Sequence, residues 1–411
     1  MELSKTKNIF LPFSVREENA EKWENSIKRE VSLPKKAQDI RSEFARDYTR
    51  IIHSRGYRRL KHKTQVFFAP ENDHICTRIE HVNHVESVSY TIANHLGLNT
   101  ELTRAIATAH DLGHAPFGHL GERILNNLCK NETGNSFWHE QNGLFFADNL
   151  ELLKDSRDRL QNLNLTYAVR DGIISHCGEV NQNMLFPRNE AISLNEFTKP
   201  NMFSPYSWEG CVVKICDKIS YLGRDMEDAV TLGLIEENAT DVIKAHAENV
   251  FGKDSVYKIN TTNLISLFVY NLCITSSPEK GLGFSPSVAE LMQEIMNFNY
   301  REIYGHSRLK FYEGYANEII GVIFKLLASL WEKGKTFENL EKAKASYPLL
   351  VSTFSGWLYV YSNSFKRGEK YCNKEVFNPE TREEYIMAII YFISGMTDSF
   401  IKKLYSSLGT F

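Results

Sequence analysis

No apolar run in this chain approaches the roughly 18 residues that a membrane-spanning helix requires, so no membrane partner is expected. The N-terminal stretch MELSKTKNIFLPFSVREENAEKW lacks the apolar core of a signal peptide, and a cytoplasmic protein is expected. Cysteine is sparse. The seven cysteines, at 76, 129, 177, 211, 216, 273 and 372, are odd in number and form no CxxC pair. That spacing argues against a disulfide framework and fits a reducing compartment. Charge of one sign is also missing, since 48 Lys and Arg face 51 Asp and Glu for a net charge of -3. No global basic field recruits nucleic acid. The local stretch RGYRRLKHK (55–63) is either a single-strand contact or an ordinary solvated basic face. Internal repeats and low-complexity tracts are absent.

What remains is a chain of 411 residues, long enough for two or three domains or one large helical domain with insertions. Its pattern is helical nearly throughout, and the expected fold class is mainly α. His81, Val85, Val88, Ile92 and Leu96 recur at steps of three or four, so one helix face carries both a histidine and an apolar stripe. Gly97 should end that helix, and Thr100 should cap the next, with Leu102, Ile106 and Ala109 inward. Further helices are expected over 163–174, running into His176, and over 212–230. The stretch 181–207, rich in Asn, Pro and Ser, reads as a long loop or lid. A short hairpin strand is expected within RLKHKTQVFFAP (59–70). TSSPEKGLGFSPS (275–287) reads as a linker, which divides the chain into an extension (1–40), a catalytic domain (41–274) and a C-terminal helical region (288–411).

Histidine is where this composition departs from the ordinary. Of 13 histidines, seven fall between positions 81 and 139. His81 lies one helix before the His110-Asp111 pair, and two antiparallel helices joined by a short turn bring the three together. Asp217, on a distant helix, would complete a set of imidazoles and carboxylates suited to Mn, Fe, Co, Ni or Zn, whereas Mg favours oxygen. A lone histidine beside an apolar stripe is ordinarily a core residue; four such ligands in register are not. His114 and His119 flank the turn GHAPFGH and suit proton transfer, because imidazole titrates near neutrality. Either one alone would serve equally well as a helix-end cap. Glu122, three residues after His119, is spaced to orient that ring on a helix. His139 follows Phe137 and Trp138, which makes a core role its simplest reading.

These residues resemble a known family. Arg78-x-x-His81, then HDLGHAPFGHLGE (110–122), then a distant Asp217-Lys218 pair, is similar to the HD-domain phosphohydrolases. The narrower resemblance is to the deoxynucleotide triphosphohydrolases of the dGTPase branch. It is carried by FARDYTRIIHSRGYRRLKHKTQVF (44–67), WHEQ (138–141), WEGCVVKICDKISYLGRDMEDAV (208–230) and YFISGMTDSF (391–400). It covers residues 40–235 densely and touches the C-terminus. A bare HD pair is weak evidence; five ordered motifs are strong.

The resemblance implies an HD-type helical bundle with an additional C-terminal helical region. It implies that His81, His110, Asp111 and Asp217 hold a divalent metal, with Mn, Mg, Fe, Co and Ni as candidates. His114 and His119 would act at the α-phosphate with Glu122 as partner, and His139 would be a further catalytic or phosphate-contacting group. Arg78, Lys218 and Tyr221 match triphosphate contacts, and Gln65 and Asp225 match residues that hold the sugar 3′-hydroxyl. The implied reaction is hydrolysis of a dNTP, dGTP favoured, to a deoxynucleoside and inorganic triphosphate. The alternatives are another HD nucleotide hydrolase (a nucleotidase, or an alarmone or cyclic-nucleotide hydrolase) or a nucleotide-binding regulator without turnover. Relatives assemble, so a homo-oligomer, a dimer-based tetramer or hexamer, is implied, with single-stranded DNA or a nucleotide as effector. Three positions depart from the pattern: His84 in place of Glu, Ala115 in place of Pro, and Cys177 in place of Asn.

Overall fold

The structure, a computed structural model, describes residues 2–33, 37–68, 72–177, 183–253, 259–364 and 366–410. Helix α1 (Glu43–His53) starts where the Ser42 hydroxyl accepts from the Ala45 N–H. Helix α2 (Arg78–Leu96) opens on a capping box between Thr77 and Glu80 and stops at Gly97, whose φ of 81° suits glycine. Its expected stripe is buried as far as Leu96. Helix α3 (Thr100–Ala109) is capped by Asn99 and not by Thr100; the Asn99 carboxamide accepts from the N–H groups of Glu101 and Leu102. The chain then tightens into a 3₁₀ turn, His110–Gly113, which swings His110 and Asp111 off the regular spiral.

Helices α4 (Gly118–Thr133) and α5 (His139–Phe145) follow, and a two-stranded antiparallel sheet pairs β1 (Leu152–Lys154) with β2 (Leu160–Asn162), Leu153 opposite Gln161. Helix α6 (Tyr167–Ser175) is shorter than expected. Residues 163–166 are not helical; Leu163 and Leu165 are buried from a non-helical segment in which Asn164 has a φ of 48°. Helix α7 (Trp208–Thr231) crosses behind α2 and α3 and carries Asp217, Tyr221, Asp225 and Asp228. The strand expected within 59–70 does not form among the described residues. Leu60–His62 is a 3₁₀ turn and Thr64 makes one isolated bridge with Thr77, while Arg59 pairs with Glu151 and Lys63 donates to the His114 and Ser394 carbonyls; Ala69 and Pro70 lie outside the described residues. From Asn183 to Ser207 the chain is a loop with one short turn, Leu194–Glu196; positions 181 and 182 are outside the described residues.

Two hydrophobic cores result. The first joins α2, α3, α6 and α7 to helices α8 (Thr261–Thr275) and α9 (Pro286–Phe298). The second joins α4 to helices α10 (Ser307–Ser329), α11 (Pro348–Tyr361), α12 (Arg382–Ser394) and α13 (Asp398–Ser406). The segment 275–287 is pinned to the protein: Leu282 and Leu185 exchange backbone hydrogen bonds, and Leu282 and Phe284 are buried. No described helix is long and apolar enough to cross a membrane.

One carboxylate of the C-terminal helices reaches across to the site. Asp398, first residue of α13, accepts from the Thr64 N–H at 3.2 Å, the Thr64 hydroxyl at 2.8 Å and the Phe117 N–H at 2.9 Å. Phe117 holds a left-handed backbone, φ 65°, that a β-carbon disfavours and that its fixed surroundings sustain. Removing the carboxylate leaves buried donors without partners. Asp398→Ala is therefore expected to destabilise the fold by about 3 kcal/mol, read from the urea midpoint; a change under about 1 kcal/mol would show that the clamp carries no load.

Candidate active site

The site forms where the 3₁₀ turn His110–Gly113 meets α2, α5 and α7. His81 Nε2 lies 3.0 Å from Asp217 Oδ1, and the His81 and His110 rings are 5.5 Å apart at their centroids. His110 Nδ1 donates to the Ala107 carbonyl at 2.7 Å, so its Nε2 carries the lone pair; that atom is buried and has no hydrogen-bond partner among the described residues. Ligand atoms from His81, His110 and Asp217 all lie within 4.8 Å of one another. A buried imidazole lone pair aimed at a carboxylate, its other nitrogen fixed by a carbonyl, is how proteins present a metal ligand. The donor set fits a divalent ion.

Asp111 stands beside this trio with both oxygens engaged. Arg78 Nη1 reaches Oδ2 at 3.0 Å and His114 Nε2 reaches Oδ1 at 3.0 Å, while His110 Nε2 is 3.4 Å from Oδ1. Burial acts against the charged Asp111 carboxylate, but His114, His110 and Arg78 outweigh it and hold the group well below the usual carboxylate range. The remaining Arg78 donors go to the Thr64 and Gln65 carbonyls, so Arg78 also braces the KTQ segment.

His114, His119, Glu122 and His139 form a second group. The His114 and His139 rings stack at 4.1 Å, and Glu122 sits between His119 (3.3 Å) and His139 (3.1 Å). Burial, reinforced by Arg78, pushes the His114 imidazole well below its usual pKa. For His139 burial works in the same direction but loses to the Glu140 and Glu122 carboxylates, which push it up to about 10. Neighbouring imidazoles are thus shifted in opposite directions, His114 toward the neutral form and His139 toward the charged one. His119 is the exposed member, its side chain 53% accessible.

These groups open into a cavity of about 470 Å³ that Gln65, Arg78, Tyr221 and Asp225 also line. Lys218 is buried and is not among the lining residues. Asp225 accepts a 2.5 Å hydrogen bond from the Tyr304 hydroxyl, and burial pushes its carboxyl up to about 7. Of the departing positions, Ala115 packs buried in the turn, Cys177 lines the cavity, and His84 has a buried Nδ1 without a hydrogen-bond partner among the described residues.

Four residues of the site were not singled out by sequence. Tyr304 arrives on a π-helical turn, Asn299–Tyr304, that extends α9. His176 is buried with its ring 5.0 Å from that of His110, and Glu140 lines the cavity beside His139. The Lys63 ammonium, pushed by burial down to about 7, donates to the carbonyls of His114 and Ser394. Only His176 and Glu140 carried a signal, one at the end of an expected helix and the other next to His139.

Residues 78–222 match the HD domain family, and the site is that of an HD-domain protein. Over 346 residues the chain is 32% identical to the deoxyguanosinetriphosphate triphosphohydrolase-like protein of Caldanaerobacter subterraneus subsp. tengcongensis, covering 83% of this chain and 86% of that protein. It is 30% identical over 374 residues to the protein of the same description from Clostridium tetani, covering 90% and 86%. A third of that description, from Pelagibacter ubique, is 32% identical over 361 residues, covering 80% and 93%. The chain belongs to the deoxyguanosinetriphosphate triphosphohydrolase-like family.

An acid harder to ionise folded than unfolded costs stability as pH rises from its unfolded pKa to its folded one. Asp225→Asn removes that cost. In thermal melts the variant should gain on the wild type as pH rises from about 4 to about 7, by several degrees, and then level off. A gap independent of pH would mean that Asp225 is not a strained acid.

Proposed function

We propose that this protein hydrolyses deoxynucleoside triphosphates, dGTP favoured, releasing a deoxynucleoside and inorganic triphosphate. The observation that carries this is one cavity lined by the acid–base group (His114, His119, Glu122, His139) and by the Asp225–Tyr304 pair, with the metal trio of His81, His110 and Asp217 against it. The names of the relatives support the substrate class.

His81, His110, Asp111 and Asp217 would hold a divalent ion, which when bound would supply Lewis acidity and lower the pKa of water. Charged His139 faces the cavity as a counter-ion for phosphate oxygens, and Arg78 keeps Asp111 in place. Water attacks the α-phosphorus as the bond to the sugar 5′-oxygen breaks. His119, oriented by Glu122 and exposed to the cavity, delivers the proton that the departing oxygen needs, and neutral His114 is able to accept one. Gln65, whose Oε1 is buried without a hydrogen-bond partner among the described residues, and Asp225 are set to hold the 3′-hydroxyl. A site built around a hydroxyl leaves polar groups unpaired when the hydroxyl is missing. Lys218 and Tyr221, on α7, complete the triphosphate contacts in this reading.

Cytoplasmic action as a dimer-based tetramer or hexamer, with a nucleotide or single-stranded DNA effector, belongs to the same reading. Phe311 (81% exposed) and Tyr315 (43%), on α10 beside the cavity mouth, are the kind of apolar surface that a second copy covers.

With dGTP and Mn, chromatography of the products should show deoxyguanosine and triphosphate. Pyrophosphate with dGMP would overturn the reaction. His119→Ala should lower kcat by roughly 100-fold or more with a smaller change in KM. Asp111→Ala should abolish turnover by a comparable or larger factor. If the wild type binds dGTP without turnover and Asp111→Ala binds it equally well, the protein is a nucleotide-binding regulator.

A further inference from the structure

A second cavity, of about 550 Å³, shares no lining residue with the active-site cavity. Gly395, Met396 and Thr397 form part of its wall, immediately before the Asp398 clamp. Phe146, Trp357, Tyr391, Phe392 and Phe400 give that wall an aromatic character. Gly356, in the middle of α11, leaves a flat place beside Trp357: a β-carbon there would meet no atom within 4 Å. The proposed reaction uses none of these groups.

Charge enters this cavity from one element. Arg55 and Arg59 stand one turn apart on the short helix Arg55–Arg59, and both line the cavity. Glu151 is the one carboxylate in the lining among the described residues, and both its oxygens are taken. Arg59 Nη2 donates to Oε1, and the Gly56 N–H donates to Oε2 at 2.8 Å. Arg59 Nε is buried with no hydrogen-bond acceptor among the described residues. Arg55 is exposed and makes no ion pair among the described residues. Two guanidinium groups against one carboxylate leave one positive charge over.

An apolar cavity with a few convergent polar groups is the usual form of a small-molecule site. A buried guanidinium N–H without an acceptor is costly, and an anionic oxygen is its strongest partner. Aromatic walls favour a ring, because paired rings gain beyond the area they bury. The other polar groups of the wall are engaged already. Thr353 donates to the Leu349 carbonyl, Thr397 accepts from the Phe400 N–H, and Tyr361 donates to the Leu150 carbonyl. A ligand rich in hydroxyls would leave them unpaired against such a wall, and a triphosphate carries more charge than the one positive charge left over can balance.

We propose that this second cavity binds a small organic monoanion with a flat aromatic body, its anionic group held by Arg55 and the Arg59 Nε–H and its ring among the aromatic side chains. The proposal goes beyond the assigned reaction and stands apart from it, because binding is measured without turnover of any nucleotide.

The test is a fluorescence titration of the full-length protein with 8-anilinonaphthalene-1-sulfonate, a flat aromatic monoanion, in the presence of a metal chelator. Wild type should bind one equivalent saturably. Arg55→Glu should weaken binding about tenfold or more, the loss of one charge-assisted contact. Gly356→Trp fills the open space from a helix position that a larger residue suits better than glycine, and should abolish binding with the thermal melt retained. The uncharged analogue N-phenyl-1-naphthylamine should bind about tenfold more weakly than the sulfonate. If Gly356→Trp fails to fold, Arg55→Glu and the uncharged analogue decide. Absence of saturable binding overturns the proposal, as does binding that both variants leave unchanged. Displacement of the probe by dGTP would place it in the active-site cavity and also overturn the proposal. Decanoate competing better than 2-naphthoate would overturn the aromatic body. Failure to hydrolyse dGTP bears on the proposed reaction and leaves these titrations as they are.

Discussion

Burying the Asp111 carboxylate is the constraint around which the site is built. A carboxylate only 2% exposed is tolerable only when charge and hydrogen bonds surround it. Arg78 from α2 supplies charge and a hydrogen bond, His114 from the following loop supplies a second hydrogen bond, and His110 from the same turn stands 3.4 Å away. Each of these partners is committed elsewhere as well. Arg78 holds the Thr64 and Gln65 carbonyls, and His110 is anchored to Ala107. The carbonyl of His114 is held by Lys63. The first core, the KTQ segment and the His110–Gly113 turn are thereby fixed to one another through a single buried anion.

The second core enters through Asp398. Its three hydrogen bonds hold Thr64 and the left-handed Phe117 from the opposite side. The C-terminal helices therefore do more than add stability, since their first residue sets the geometry of the turn that carries His114 and His119. Glycine makes the same turn possible. A β-carbon at Gly113 would stand 2.1 Å from the Gly143 nitrogen and the His139 carbonyl, and one at Gly121 would stand 1.8 Å from the Pro116 carbonyl. Close backbone approach between the turn and α5 is what stacks His114 on His139.

Protonation follows from that packing. His114 and His139 are in ring contact, yet burial and Arg78 shift one toward the neutral form while Glu140 and Glu122 shift the other toward the charged one. Opposite shifts in touching imidazoles follow from which charged groups each ring faces. The same low-dielectric floor raises Asp225 and sets it against Tyr304.

Much of this was legible in the chain. The stripe from His81 to Leu96 and the Gly97 stop follow from local periodicity and from the freedom of glycine to adopt positive φ, so α2 and its histidine were readable residue by residue. The ordered HD motifs carried the family. Local signals failed where competing groups were close in sequence, as with Asn99 taking the cap from Thr100, and where long-range partners decided, as with the basic 59–70 segment, in which no strand forms among the described residues. Nothing in NYREIY announces that Tyr304 meets Asp225, 79 positions away. Composition and periodicity determined which residue types were available and which helices formed. Which carboxylate faces which imidazole, and therefore which group is charged, was decided only when two cores packed around Asp111 and excluded water from it.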